Sequence, residues 1–211
     1  MKDAQEGDWD SYNAVSGNSE GLYKDRGSRF QAYVFPVSSE EDVKVLLDAL
    51  KREHHAARHH CYAYRLGYDG ARFRANDDGE PSGTAGRQIL GEIDSAKLSD
   101  VLVVVVRYFG GVLLGVPALG KAYREAAAAA LSAAPKTVKA ASRDFVLEFA
   151  YDRMETVQRL LKGSGAEVVE QKFDLQCSAH IRLRLSTVDI FFEKLKRLND
   201  EKSACIQCRP L

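Results

Sequence analysis

The 211-residue chain has no net charge, because 30 Lys and Arg stand against 30 Asp and Glu. No global field therefore draws in a polyanion, which counts against strong nonspecific duplex binding. Long apolar runs are missing too, and the longest falls far short of a membrane span. The opening Met1-Lys2-Asp3-Ala4-Gln5-Glu6 has no apolar core, so it is not a secretory signal. Only four cysteines occur, without framework spacing, which excludes a disulfide-stapled fold and fits a reducing cytosol. What is present, 45% hydrophobic residues, suffices for one large or two small domains.

The most informative stretch is Val103-Val104-Val105-Val106-Arg107-Tyr108-Phe109-Gly110-Gly111, followed by Val112-Leu113-Leu114-Gly115. Four consecutive β-branched residues predict a strand buried on both faces. Such a strand ending in an arginine, two aromatics and two glycines sets a basic group and two rings where strand ends meet solvent. Pro117 suits the first turn of a helix, and residues 119–134 are rich in alanine. Strand, glycine turn and helix in that order read either as a tight connection or as a cradle for an anion beside Arg107. The spacing of Gly110, Gly111 and Gly115 is neither a dinucleotide fingerprint nor a Walker loop. No Lys-Ser or Lys-Thr follows, so nucleotide triphosphatase chemistry and a nucleotide cofactor are rejected.

Charge is local rather than absent. Residues 51–74 carry six Lys and Arg, Arg58 and Arg65 among them, against Glu53 and Asp69, together with His54, His55, His59 and His60. Residues 76–100 reverse the sign. Their loop Asp77-Asp78-Gly79-Glu80-Pro81-Ser82-Gly83-Thr84 packs three carboxylates into four positions. Three readings stay open. The carboxylates could hold Mg²⁺ or supply a general acid, they could accept backbone N–H groups of their own turn, or they could pair Arg65 and Arg107.

The four histidines make a poor metal cluster, because adjacent pairs do not fit one ion. His60 and Cys61 lie on opposite faces of a strand, which argues against a thiol nucleophile. Cys177-x-x-His180 and Cys205-x-x-Cys208 have zinc-like spacing, but residues three apart on a strand face opposite sides. No metal or other cofactor is expected.

The periodicity predicts an α+β chain of two domains, residues 1–135 and 142–211. In the first, residues 12–15 and 30–37 read as strands and Ser38-Ser39-Glu40-Glu41 opens a helix. Residues 61–66 and 71–75 form a hairpin, and 76–86 a loop. In the second, residues 144–151, 154–161, 167–173, 178–185, 188–198 and 204–208 give a βαββαβ order, the ferredoxin-like plan.

His60-Cys61-Tyr62-Ala63-Tyr64-Arg65-Leu66-Gly67, the run from Asp77 to Gly86, Val106-Arg107-Tyr108-Phe109-Gly110-Gly111 and the earlier Gly27-Ser28-Arg29-Phe30 together resemble the YigZ/IMPACT family. Ala122-Tyr123 is similar to its following helix. Val116-Pro117-Ala118 departs from the family's small residues and further glycine, and makes the loop stiffer. The resemblance implies a first domain similar to the second domain of a small-subunit ribosomal protein and to domain IV of elongation factor G. It implies a second domain similar to domain V of that factor. Eukaryotic members restrain a translation-initiation kinase, and what carries over to this chain is the fold and a link to translation.

The expectation is a cytoplasmic, non-catalytic, translation-associated protein that binds RNA or a ribosome-associated protein, with no membrane contact. Arg65, Arg107, Tyr108, Phe109, Gly110 and Gly111 would make the contacts. Asp77, Asp78, Gly79, Glu80 and Thr84 would form an acidic loop on the same surface. The alternatives are a small metal-dependent or hydrolytic enzyme centred on Asp77, Asp78 and Glu80, and a protein-interaction regulator of translation.

Overall fold

The computed structural model describes residues 9–174, 176–202 and 206–211. Contacts gather them into two compact units, residues 12–139 and residues 9–11 with 140–211. The architecture is mixed α and β with three sheets. No helix among the described residues is long and apolar enough to cross a membrane.

The first unit runs in chain order through β1 (Ser11–Val15), β2 (Ser19–Asp25), β3 (Ser28–Pro36), α1 (Glu40–Glu53), β4 (His59–Leu66), β5 (Arg72–Asn76), α2 (Gly86–Ser95), β6 (Val101–Tyr108), α3 (Val116–Ala133) and β7 (Lys136–Ala140). β1 and β7 make a two-stranded sheet, so residues 136–140 are a strand and not a plain linker. The other five strands form an antiparallel sheet in the order β2-β3-β6-β4-β5. Its central strand, β6, is buried on both faces. Val101, Val103 and Val105 pack with Phe30, Ile89 and Tyr123 on the side of α2 and α3, while Leu102, Val104 and Val106 pack with Leu47 and Leu50 of α1.

Local chemistry accounts for the helices. Ser39 accepts from the Asp42 N–H and the Asp42 carboxylate accepts from the Ser39 N–H, a reciprocal cap on α1. Pro117 stands in the first turn of α3. The alanines of α3 let β2 come very close, and a Cβ on Gly21 would lie 2.4 Å from the Ala130 nitrogen. That contact helps to hide β2 from periodicity: of the residues it turns to the helix side, Ser19 is polar and Gly21 has no side chain. α2 also escapes a local reading, because its N-cap Ala85 offers no side-chain hydrogen bond.

The second unit contains β8 (Ser142–Ala150), a 3₁₀ turn at Tyr151–Arg153, α4 (Met154–Ser164), β9 (Glu167–Lys172), β10 (Gln176–Arg184), α5 (Leu185–Lys202) and β11 (Gln207–Pro210). Its sheet runs β11-β8-β10-β9, with antiparallel neighbours. One face buries Phe145, Leu147, Ile181 and Leu183 against Leu160, Leu161 and Phe191. Cys177 points into this core, whereas His180 faces the other way and meets Asp144 at 3.1 Å. Cys205 and residues 1–8 and 204 lie outside the described residues.

The expected boundaries place the whole N-terminal arm with the first domain, yet residues 9–11 group with the second unit. The reason is Asp10, whose buried carboxylate accepts from Arg184 Nε at 2.8 Å and from the Ser186 N–H at 2.8 Å. Burial alone would raise its pKa, but these hydrogen bonds outweigh burial and hold it at about 2.

Candidate functional site

The acidic loop between β5 and α2 uses each carboxylate differently. Asp77 accepts from the backbone N–H groups of Gly83 (2.9 Å), Ala85 (3.0 Å) and Gly86 (2.8 Å). It thereby satisfies the donors at the opening of α2, where negative charge is favoured. Asp78 adopts a left-handed backbone with φ 41°. Its carboxylate accepts the His60 N–H at 2.7 Å, and its carbonyl accepts from His59 Nδ1 at 2.8 Å. Gly79 follows at φ 86°, and buried Thr84 donates to the Pro81 carbonyl at 2.6 Å.

Glu80 turns inward. Its side chain is 5% exposed, and one oxygen accepts from Arg107 Nη1 at 2.6 Å and from the Tyr123 hydroxyl at 2.7 Å. Three carboxylates close in sequence thus serve a helix end, a strand end and a buried ion pair. Among the described residues no group of three or more His, Cys, Asp or Glu has the arrangement of a metal site.

Arg107 reaches Glu80 from the end of β6, between the rings of Phe30 at 5.4 Å and Phe109 at 5.7 Å. The structure brings Arg107, Phe109 and the acidic loop together, but not every residue expected beside them. Tyr108 points to the opposite face, as the neighbour of an inward strand residue must. There its hydroxyl contacts His54 Nδ1 at 2.8 Å, and Arg29 lies over its ring at 4.4 Å. His54 Nε2 in turn meets the Tyr33 hydroxyl at 2.7 Å, a phenol whose pKa burial pushes up to about 12.

Arg65 is also separated from Arg107. In the antiparallel register it is His59 that pairs with Arg107, and Arg65 lies six residues further along β4, roughly 20 Å at strand rise. Arg65 binds Asp94 at 2.9 Å through Nε and the Gly70 carbonyl at 2.5 Å through Nη1. The acidic loop therefore pairs one of the two arginines expected of it.

Gly110 and Gly27 meet backbone to backbone, so a Cβ on Gly110 would fall 1.9 Å from the Gly27 carbonyl carbon. Gly111 has φ 86°, which favours glycine. Cys61 lies buried between the Asp77 carbonyl (2.9 Å) and the Tyr123 hydroxyl (3.3 Å). Burial raises the pKa of both the thiol and the phenol, so neither is primed as a nucleophile. Burial lowers His60, whose Nε2 has no partner.

Beside the Glu80–Arg107 pair is a cavity of about 330 Å³, walled also by Arg58, His59, Phe109, Leu113 and Leu119. Arg58, Arg29 and Tyr123 are the site residues that sequence reasoning missed. Arg58 had a signal in the basic stretch 51–74, but nothing local shows that it shares a cavity with Arg107.

A match to the Impact N-terminal domain covers residues 26–131, half of the chain. The chain belongs to the IMPACT family. The match begins in the β2–β3 turn and ends in α3, so the acidic loop, Arg107 and the glycine contact all fall inside the IMPACT domain. The IMPACT family member of Haemophilus influenzae is 35% identical over 172 residues, covering 80% of this chain and 82% of that protein. IMPACT family member YigZ of Escherichia coli is 30% identical over 170 residues, covering 80% and 83%. A crystal structure of a hypothetical protein aligns with a TM-score of 0.73 at 26% identity, covering 96% of this chain and 98% of that one.

Proposed function

We propose that this IMPACT protein is a non-catalytic, translation-associated protein of the cytoplasm that contacts RNA through the Arg107 end of its five-stranded sheet. The observation that carries the reading is the grouping at that end: exposed Arg26 and Arg29 on the β2–β3 hairpin, exposed Arg58 before β4, and half-exposed Phe109 after β6. Cations set phosphates and an open ring stacks bases, the combination used on single strands. Neutral net charge limits the contact to few phosphates. Family membership supports the link to translation, as does the similarity to a ribosomal protein and to domain IV of elongation factor G that the motifs imply. The strand order β11-β8-β10-β9 with two helices on one face supports a ferredoxin-like reading of the second domain. For an enzyme centred on Asp77, Asp78 and Glu80 nothing speaks, because each carboxylate is engaged in holding the loop.

Ribosome co-sedimentation with RNA crosslinking tests the reading. Crosslinks are expected at residues 26–29, 58 and 109, and Arg29→Glu with Arg58→Glu should abolish them. Unchanged co-sedimentation of that double variant would overturn the RNA reading, and crosslinks to protein alone would replace RNA by a ribosome-associated protein.

A further inference from the structure

The cavity beside Arg107 is small and chemically mixed, and that combination restricts what it can take. At about 330 Å³ it stands at the lower end of small-molecule sites, the scale of a single nucleotide. Its charges are Arg58 and Arg107 against Glu80, an excess of one positive charge. Arg107 cannot supply that excess freely, since its Nη1 is held by Glu80. The excess therefore resides on Arg58, at the exposed rim.

His59 adds a second constraint. The Asp78 carbonyl can only accept, so the 2.8 Å contact fixes a proton on His59 Nδ1. In the neutral ring Nε2 is then a lone-pair acceptor, which suits a hydroxyl donor and repels a bare anion. Phe109, 52% exposed, and Leu113, 83% exposed, supply an open apolar wall. A ligand that satisfies all of these has an anionic group, a hydroxyl donor and a planar ring.

We propose that this cavity holds the terminal nucleotide of an RNA bearing a phosphate monoester, with the phosphate at Arg58, a ribose hydroxyl on His59 and the base against Phe109 and Leu113. The ligand class rests on the RNA reading above, but the pocket can be tested apart from it. A ribose hydroxyl also separates RNA from DNA at such a site.

Calorimetry on the full chain would compare adenosine monophosphate, its deoxy form, adenosine and inorganic phosphate. Short RNAs with a 5′- or 3′-phosphate would be compared with the same RNAs ending in hydroxyls. Adenosine monophosphate should bind best, and a terminal phosphate at one end should tighten RNA binding by roughly tenfold. Arg58→Ala should remove that gain, a roughly tenfold loss for a charge-assisted contact. Leu113→Asp, at a side chain that packs on little, should weaken adenosine monophosphate with melting temperature unchanged. RNAs that bind equally with or without terminal phosphate, together with no binding of the mononucleotide, would overturn the pocket and leave the RNA reading standing. Mononucleotide binding with no RNA binding would overturn both the RNA reading and the RNA end as occupant, leaving a pocket for a free mononucleotide. Inorganic phosphate binding as tightly as the nucleotide, or no ligand binding at all, would also overturn the proposal.

Discussion

Arg107 and Arg65 sit on neighbouring strands, each paired with a carboxylate, yet they differ in kind. The Arg107–Glu80 side chains are 8% and 5% exposed, and those of Arg65 and Asp94 are 22% and 47% exposed. Arg184–Asp10, in the other unit, stands between them with a buried carboxylate and an arginine side chain 38% exposed. An ion pair in water gains little, because solvent screens it and two long side chains must be held still. A buried pair is different: its net gain over apolar residues is small, but losing one partner strands a charge. The three pairs therefore grade from structural keystone to surface contact by burial, not by the residues involved.

Arg107→Ala should be the most damaging change, lowering stability by about 3–5 kcal/mol, because it leaves the buried Glu80 carboxylate without its cation. Denaturant unfolding measures this directly. A loss no larger than that of Arg65→Ala would break the comparison. Replacing both Arg107 and Glu80 with Leu sharpens it. The double variant should recover most of the lost stability, since no unpaired charge remains.

Asp10→Asn should fall in between, at about 2 kcal/mol near neutral pH for lost charged hydrogen bonds. Its pH dependence is the clearer signature. The folded-state pKa of Asp10 is depressed to about 2 from an ordinary 3.8. Its contribution is therefore present above about pH 4 and lost as pH falls towards 2. Unfolding free energies measured from pH 5 to 2 should show the wild type losing its advantage over Asp10→Asn in that window. A constant gap between the two would contradict the assignment. Arg65→Ala should have the smallest effect, up to about 1 kcal/mol. That loss should shrink further in 1 M salt, where the screening length is about 3 Å, whereas the Arg107→Ala loss should persist.

The same contrast explains what the sequence can reveal. The valine strand, the Ser39 cap and the alternation along β8 and β10 are written in consecutive residues, and the structure places strands and a helix there. β2 and α2 are not, because one packs through Gly21 and the other is capped by Asp77, nine positions before Gly86. Arg65 and Arg107 look equivalent as letters. Only the antiparallel register, which puts His59 beside Arg107, sends them to different ends of the sheet. The acidic loop was legible as unusual, but which carboxylate turns inward depends on Tyr123, 43 residues further on.

The contact between Gly27 and Gly110 has a consequence for how the sheet chooses its alignment. Val103, Val104, Val105 and Val106 are chemically interchangeable, so a slip of two residues between β3 and β6 would leave every valine facing the same side as before. Hydrophobic patterning, which forbids a slip of one, is blind to a slip of two. The glycines are not. In the observed register Arg29 stands opposite Tyr108, and the chain then continues into the close meeting of Gly27 and Gly110. Two residues of sliding would drive Tyr108 or Val112 into a space that admits no side chain. The featureless strand is thus read in frame by a steric key at its end, and that key also sets Phe30 opposite Arg107.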